Sequence, residues 1–210
     1  MEQIFFKYNL DPNLEIEDFF VSKSNFEAYN ILLKSSDENK KILLLGPQKS
    51  GKTHLGLIWK SINNAIIYKN NLNFILENKK PVFIDNLFSE INETNIFHII
   101  NHCHLNNLKI LITSEFNLSY YQFKIVDLSS RLKTFINSKI NLPDDNLLVN
   151  LIMKLLSDKQ IVIRNHEIFN YILKRVDRSY QKVFLLVEKI DQLSLEKKRE
   201  LTIPLIKELL

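Results

Sequence analysis

Gly46-Pro47-Gln48-Lys49-Ser50-Gly51-Lys52-Thr53 is the stretch that decides the fold. It has the G-x-x-x-x-G-K-[ST] spacing of a phosphate loop, in which backbone N–H groups wrap a polyphosphate. The chain has three glycines, Gly46, Gly51 and Gly56, and all fall in or beside this stretch. Side chains would block so close an approach, and Gly also supplies backbone with φ > 0. Working outward, Lys41-Ile42-Leu43-Leu44-Leu45 reads as a buried parallel strand, and Thr53 to Lys60 as a helix whose N-terminus faces the loop. In that setting Lys52 reaches the terminal phosphates, Thr53 ligates Mg²⁺, and Gly46 through His54 form the cradle for ATP or ADP.

Further strands follow. Ala65-Ile66-Ile67-Tyr68, Val82-Phe83-Ile84-Asp85 and Lys109-Ile110-Leu111-Ile112-Thr113 are apolar runs, with a helical pattern from Ile91 to His104 before the last. A carboxylate closing a strand after a phosphate loop suits Mg²⁺, so Asp85 joins Thr53 as a metal candidate. The next residue, Asn86, is an amide and cannot serve as a general base, so slow or absent intrinsic hydrolysis is expected. Thr113 and Ser114 place hydroxyls where a γ-phosphate or its water would lie.

A boundary is expected at Leu142-Pro143-Asp144-Asp145, a turn followed by a helix start. Beyond it Leu147, Leu148, Leu151, Ile152, Leu155 and Leu156 make a helical stripe, as do Ile168, Ile172 and Val176, then Val183, Phe184, Val187 and Ile190. Thr202-Ile203-Pro204 opens a last helix. The expected architecture is α/β: a parallel-sheet nucleotide domain at 1–142 and a small helical lid at 143–210.

The chain has 210 residues and a net charge of +4, with lysines spread along it and no basic block, which is weak support for charge-driven DNA binding. One cysteine, Cys103, excludes an internal disulfide and suits a reducing compartment. No basic leader with an apolar core and no membrane-length apolar run is present, so a cytoplasmic protein is expected. Arginine occurs five times, at 131, 164, 175, 178 and 199, and persists where Lys is otherwise the usual cation.

Together, the loop, Phe83-Ile84-Asp85-Asn86, Ile110-Leu111-Ile112-Thr113, Asp127-Leu128-Ser129-Ser130-Arg131-Leu132, Val176-Asp177-Arg178 and the ending Leu201 to Leu210 resemble the AAA+ ATPases of the DnaA/Hda branch over essentially the whole chain. The Asp-Leu-x-Ser-Arg-Leu box and the ending are the more specific parts. The resemblance implies that Arg131 is an arginine finger presented to a neighbour's nucleotide, Arg178 a lid sensor on its own phosphates, and Thr113 the strand-four sensor. It implies that Phe20, Val21 and Asn25, in Asp18 to Asn25, pack near adenine, with Ser22 a departure where initiators often carry Gly. It implies that Gln3, Ile4 and Phe6, in the segment 1–8, form a peptide for the DNA polymerase III sliding clamp, with indirect DNA association through it. It further implies stimulation of ATP hydrolysis by DnaA, as a negative regulator of replication initiation that could also self-associate. The DNA-binding domain that ends DnaA is expected to be absent.

Two other functions stay open: a DnaA-like adaptor or loader, and a phosphate-loop kinase drawing on Arg164, Arg175 and Arg178 to clamp two substrates. His98 and His102 have zinc-protease spacing, but Ile99 stands where that motif needs its Glu, so no metal site is expected there.

Overall fold

The computed structural model describes residues 16–34, 40–88, 92–197 and 200–209. The clamp-peptide expectation on Gln3, Ile4 and Phe6 lies outside these residues. The sheet unit contains α1 (Phe26–Leu33), β1 (Lys41–Leu45), α2 (Lys52–Ile62), β2 (Ile66–Ile67), α3 (Leu72–Glu77), β3 (Val82–Ile84), α4 (Glu93–Leu105), β4 (Ile110–Ser114), α5 (Val126–Leu132) and β5 (Ile136–Lys139). Then come α6 (Asp145–Asp158), α7 (Glu167–Leu173), α8 (Tyr180–Lys197) and α9 (Ile203–Lys207). A short 3-10 turn, Ile16–Asp18, precedes α1.

The strands form one sheet in the order β2-β3-β4-β1-β5, and every pairing is parallel. Side chains alternate between the faces of a strand, and here both faces are covered. Leu43, Val82, Ile84, Ile110 and Ile112 point to one core, closed by Ile75 of α3, Ile96, Ile99 and Ile100 of α4, and Leu128 and Leu132 of α5. Ile42, Leu44, Phe83 and Leu111 point to the other, closed by Ala28 and Leu32 of α1 and by Leu55 and Trp59 of α2. Two-sided burial is why β1, β3 and β4 read as unbroken apolar runs.

The fifth strand escapes the sequence pattern. β5 pairs with β1 at the sheet edge, yet only Ser138 of Ile136-Asn137-Ser138-Lys139 is buried. An edge strand needs backbone partners more than apolar side chains, so no hydrophobic run marks it.

The helices α6 to α9 build a third core from Leu148, Ile152, Leu156, Ile168, Phe169, Ile172, Val183, Leu186, Val187, Ile190, Leu205 and Ile206. Leu147 of α6 and Tyr180 of α8 pack instead into the sheet-side core with Trp59 and Ala28, and the Tyr180 hydroxyl donates to the Asn141 carbonyl at 3.0 Å. The helical unit is thereby seated on the sheet unit. Asp144 caps α6 by accepting from the Leu147 N–H at 2.9 Å, and Thr202 caps α9.

Gly56 has a packing role, distinct from the loop. A Cβ there would lie 2.2 Å from Phe83 Cζ, so the missing side chain is what lets α2 approach the sheet.

Candidate functional site

The loop begins where β1 ends. The Gly46 N–H donates to the Ser114 carbonyl at 3.2 Å, tying the loop's first residue to the end of β4. Lys49 (φ 60°) and Gly51 (φ 88°) are both left-handed, and Gly51 is the N-cap of α2. This chirality curls the backbone round so that α2 starts at Lys52 with its free N–H groups toward the loop. The Lys52 ammonium donates to the carbonyls of Gly46 and Pro47, each at 2.8 Å. Burial pushes Lys52 below its ordinary value, while Glu115 and Asp85 pull it upward.

Two strand ends, of β3 and β4, and the first turn of α2 meet at Asp85. Its Oδ2 accepts from the Thr53 hydroxyl at 2.8 Å and its Oδ1 from the Thr113 hydroxyl at 2.6 Å. Thr113 is fully buried and its Oγ1 also accepts the Asn86 N–H at 2.7 Å, with Asn86 itself left-handed at φ 51°. Thr113 therefore orients the carboxylate and fixes the turn after β3. The cluster lies at the carboxyl ends of β1, β3 and β4, where open parallel sheets bind ligands.

A cleft of about 700 Å³ runs from this cluster to the helical lid. Phe20, Val21 and Asn25 line it from one side, Lys49 to His54 with Asp85 and Asn86 form its floor, and Leu147, Leu151, Leu155 and Phe184 its lid wall. The Asn25 amide accepts from the Ser22 N–H at 2.8 Å and donates to the Phe20 carbonyl at 2.9 Å, so it shapes the segment carrying Phe20 and Val21. Ser22 does not have a positive φ, and its hydroxyl meets that of Ser24 at 2.7 Å, so this path does not need Gly.

Other expected residues lie elsewhere. Gly46, Pro47 and Gln48 form the base of the loop outside the cleft lining, and Thr113 stands behind Asp85. Arg178 is not brought to the cleft: its Nε and Nη2 donate to Asp145 at 2.7 and 3.1 Å. The Arg178 hydrogen bonds hold the Asp145 carboxyl below its usual range. Arg164 pairs with Glu200 at 2.7 Å, and the Arg175 guanidinium stacks 3.7 Å from the Tyr171 ring centroid. Arg131 is half-buried near the end of α5, its guanidinium 5.4 Å from the Phe97 ring centroid, and does not line its own chain's cleft. The buried Glu93 steadies that helix by accepting the Ile125 N–H at 2.9 Å.

Sequence reasoning missed Glu115, Lys154 and Phe184 as lining residues. Phe184 was legible only as part of a helical stripe. His102 of α4 serves structure: its ring meets the Asn78 carbonyl at 3.0 Å and the Asn106 amide at 3.3 Å. Among the described residues no three metal-ligating side chains converge, and no helix is long and apolar enough to cross a membrane.

The residues suit a bound polyphosphate and cation. Ser50 Oγ is buried in the loop without a hydrogen-bond partner, and a Cβ on Gly46 would crowd Ser50 Oγ at 2.9 Å and Ile140 at 3.1 Å. A Thr hydroxyl and a carboxylate side by side are hard oxygen donors of the kind Mg²⁺ prefers.

This five-stranded parallel sheet, its phosphate loop and its helical lid define the AAA+ fold. The chain superposes on domain III of the replication initiation protein DnaA from Thermotoga maritima with a TM-score of 0.75, at 21% identity, covering 97% of this chain and 98% of that one. It superposes on AMPPCP-bound DnaA from Aquifex aeolicus with a TM-score of 0.67, at 20% identity, covering 91% and 70%. In sequence it is 22% identical over 240 residues to the chromosomal replication initiator protein DnaA of Buchnera aphidicola subsp. Cinara cedri (strain Cc), covering 99% of this chain and 55% of the initiator. Residues 152–210 match the family model "Hda, lid domain". The chain shares the AAA+ fold of DnaA domain III, and residues 152–210 resemble the Hda lid.

Proposed function

We propose that this chain binds an adenine nucleotide with Mg²⁺ in the cleft and stimulates ATP hydrolysis by a DnaA-type partner by lending it Arg131. The observation that carries the reading is the division of labour between two sites. Asp85, Thr53, Thr113 and Lys52 converge on the chain's own loop, while Arg131 sits on α5 outside that cleft lining, its guanidinium 5.4 Å from the Phe97 ring centroid.

Each residue has a physical task. Loop N–H groups and Lys52 bind phosphate oxygens, and Mg²⁺, held by Thr53 and Asp85, would neutralise phosphate charge. Thr113 keeps the Asp85 carboxylate turned toward Thr53. Asn86 offers no base for water, so the chain's own hydrolysis is slow. In the partner's site, negative charge spreads over the transferred phosphoryl oxygens, and a guanidinium supplied in trans stabilises it by about 10³–10⁵ in rate. The apolar wall of Phe20, Val21 and Leu151 accommodates the base. Residues 1–8, with Gln3, Ile4 and Phe6, would dock on the sliding clamp and bring the chain to DNA-bound DnaA.

The kinase alternative loses its main support, because none of Arg164, Arg175 and Arg178 lines the cleft. The test is DnaA–ATP hydrolysis with this protein, clamp and DNA. Arg131→Ala is expected to fold and bind nucleotide normally but to lose stimulation. Full stimulation by that variant refutes the proposal, and helicase loading without stimulation favours the adaptor reading.

A further inference from the structure

We infer that Lys49 of the phosphate loop latches the helical lid through Phe184 and so slows the escape of a bound nucleotide. The inference rests on the nucleotide reading of the cleft and adds a release mechanism to it.

Two observations meet here. Lys49 occupies the left-handed region at φ 60°, where a residue with a Cβ is uncommon and Gly would fit without strain. In this conformation its ammonium reaches across the cleft and lies 5.3 Å from the centroid of the Phe184 ring on α8. Phe184 is also unusual: it lines the cleft, but belongs to none of the three apolar cores and is not packed against any of them among the described residues. An aromatic ring left out of its own domain's core has its face available to a cation.

The contact joins opposite sides of the cleft. One end is fixed to the loop that wraps phosphate and the other to the lid that covers the site. A contact that ties loop to lid favours the closed cleft, and so acts mainly on the dissociation rate of what the cleft holds. Lys49 is a positioning residue on this account, acting on the lid rather than on phosphate. Arg178, held by Asp145, makes no such bridge.

The experiment loads the full chain with a fluorescent ADP analogue and measures its release on chasing with excess unlabelled ADP. Lys49→Ala, Lys49→Gly and Phe184→Leu are each expected to release it about three- to tenfold faster, the range a cation–π contact supports. Lys49→Arg should retain slow release, since a guanidinium also stacks on the ring. The Lys49→Ala/Phe184→Leu double variant should release no faster than the faster single. Direct phosphate contact by Lys49 would instead make Phe184→Leu silent or the double variant additive, and either outcome overturns the latch. Wild-type protein that binds no nucleotide overturns the cleft reading itself. Wild-type binding with release unchanged in the variants overturns the latch alone.

Discussion

Replacing Gly56 with Ala should destabilise this protein, although Ala is the better helix former. A Cβ at Gly56 would meet the Phe83 ring at 2.2 Å (Cζ), 2.6 Å (Cε2) and 3.0 Å (Cε1). Carbon atoms at rest lie about 3.5–4.0 Å apart, so α2 or the ring must move by more than about 1 Å. The ring cannot yield easily, because Phe83 is fully buried on β3, between β2 and β4. Ala recovers about 1 kcal/mol of helix propensity. Overpacking costs about 1–3 kcal/mol, and more when the contact is this short. The net effect worked from these figures is a loss of about 1–2 kcal/mol, or a fall in Tm of about 2–8 °C for a chain of this size. The same shift has a functional side, because Thr53, on the same helix, would be pushed away from Asp85 and nucleotide affinity would fall with stability. Urea denaturation and nucleotide titration of Gly56→Ala measure both effects. In a Phe83→Leu background, which opens the space, adding Gly56→Ala should cost less than it does alone. A Gly56→Ala protein at least as stable as wild type refutes the reasoning.

Two further expectations concern titrating groups. Burial lowers the Lys52 pKa from 10.5 against the pull of Glu115 and Asp85, so the unfolded chain keeps this proton to higher pH than the folded one. Stability relative to Lys52→Met should therefore rise with pH through the alkaline window up to the ordinary value, and urea denaturation at a pH series would show a falling difference if the assignment is wrong. At Asp144 burial pushes the carboxyl up, but the Leu147 N–H bond, with the Ser22, Ser24 and Asn146 donors nearby, outweighs it and holds the carboxyl below 3.8. That stabilisation is present above the ordinary value and lost as pH falls through the folded one. Asp144→Ala should cost about 1 kcal/mol at neutral pH, and the gap to wild type should close in acid.

The readable parts of this chain share a cause. Ile42 to Leu44, Val82 to Ile84 and Ile110 to Ile112 are buried on both faces of the sheet, so their composition announces them. Gly51 and Lys52 mark the loop because a left-handed helix start followed by a cation is a local requirement. Asp85 was legible because it directly ends an apolar strand, and the Asp144 cap because it follows Pro at a composition break. β5 was silent because its one buried side chain is Ser138. Arg178 was expected at phosphate, yet Asp145 lies within reach and takes its guanidinium in a bidentate pair. The need for Gly56 was invisible, since nothing in its neighbours reveals the ring of a strand residue packed against it.

The sequence by itself determined the strand, loop and helix of the phosphate site, the alternation that makes a two-sided parallel sheet, and the residue types available for a cation and phosphate. These depend on φ preferences, side-chain period and spacing over a few residues. Only the tertiary structure decided which distant groups meet: Asp85 with Thr53 and Thr113, Arg178 with Asp145, and Lys49 with Phe184. Those meetings span 28 to 135 positions of chain, from Thr113 to Asp85 at one extreme and Lys49 to Phe184 at the other. They depend on how crossovers and cores stack the elements, which no local pattern encodes.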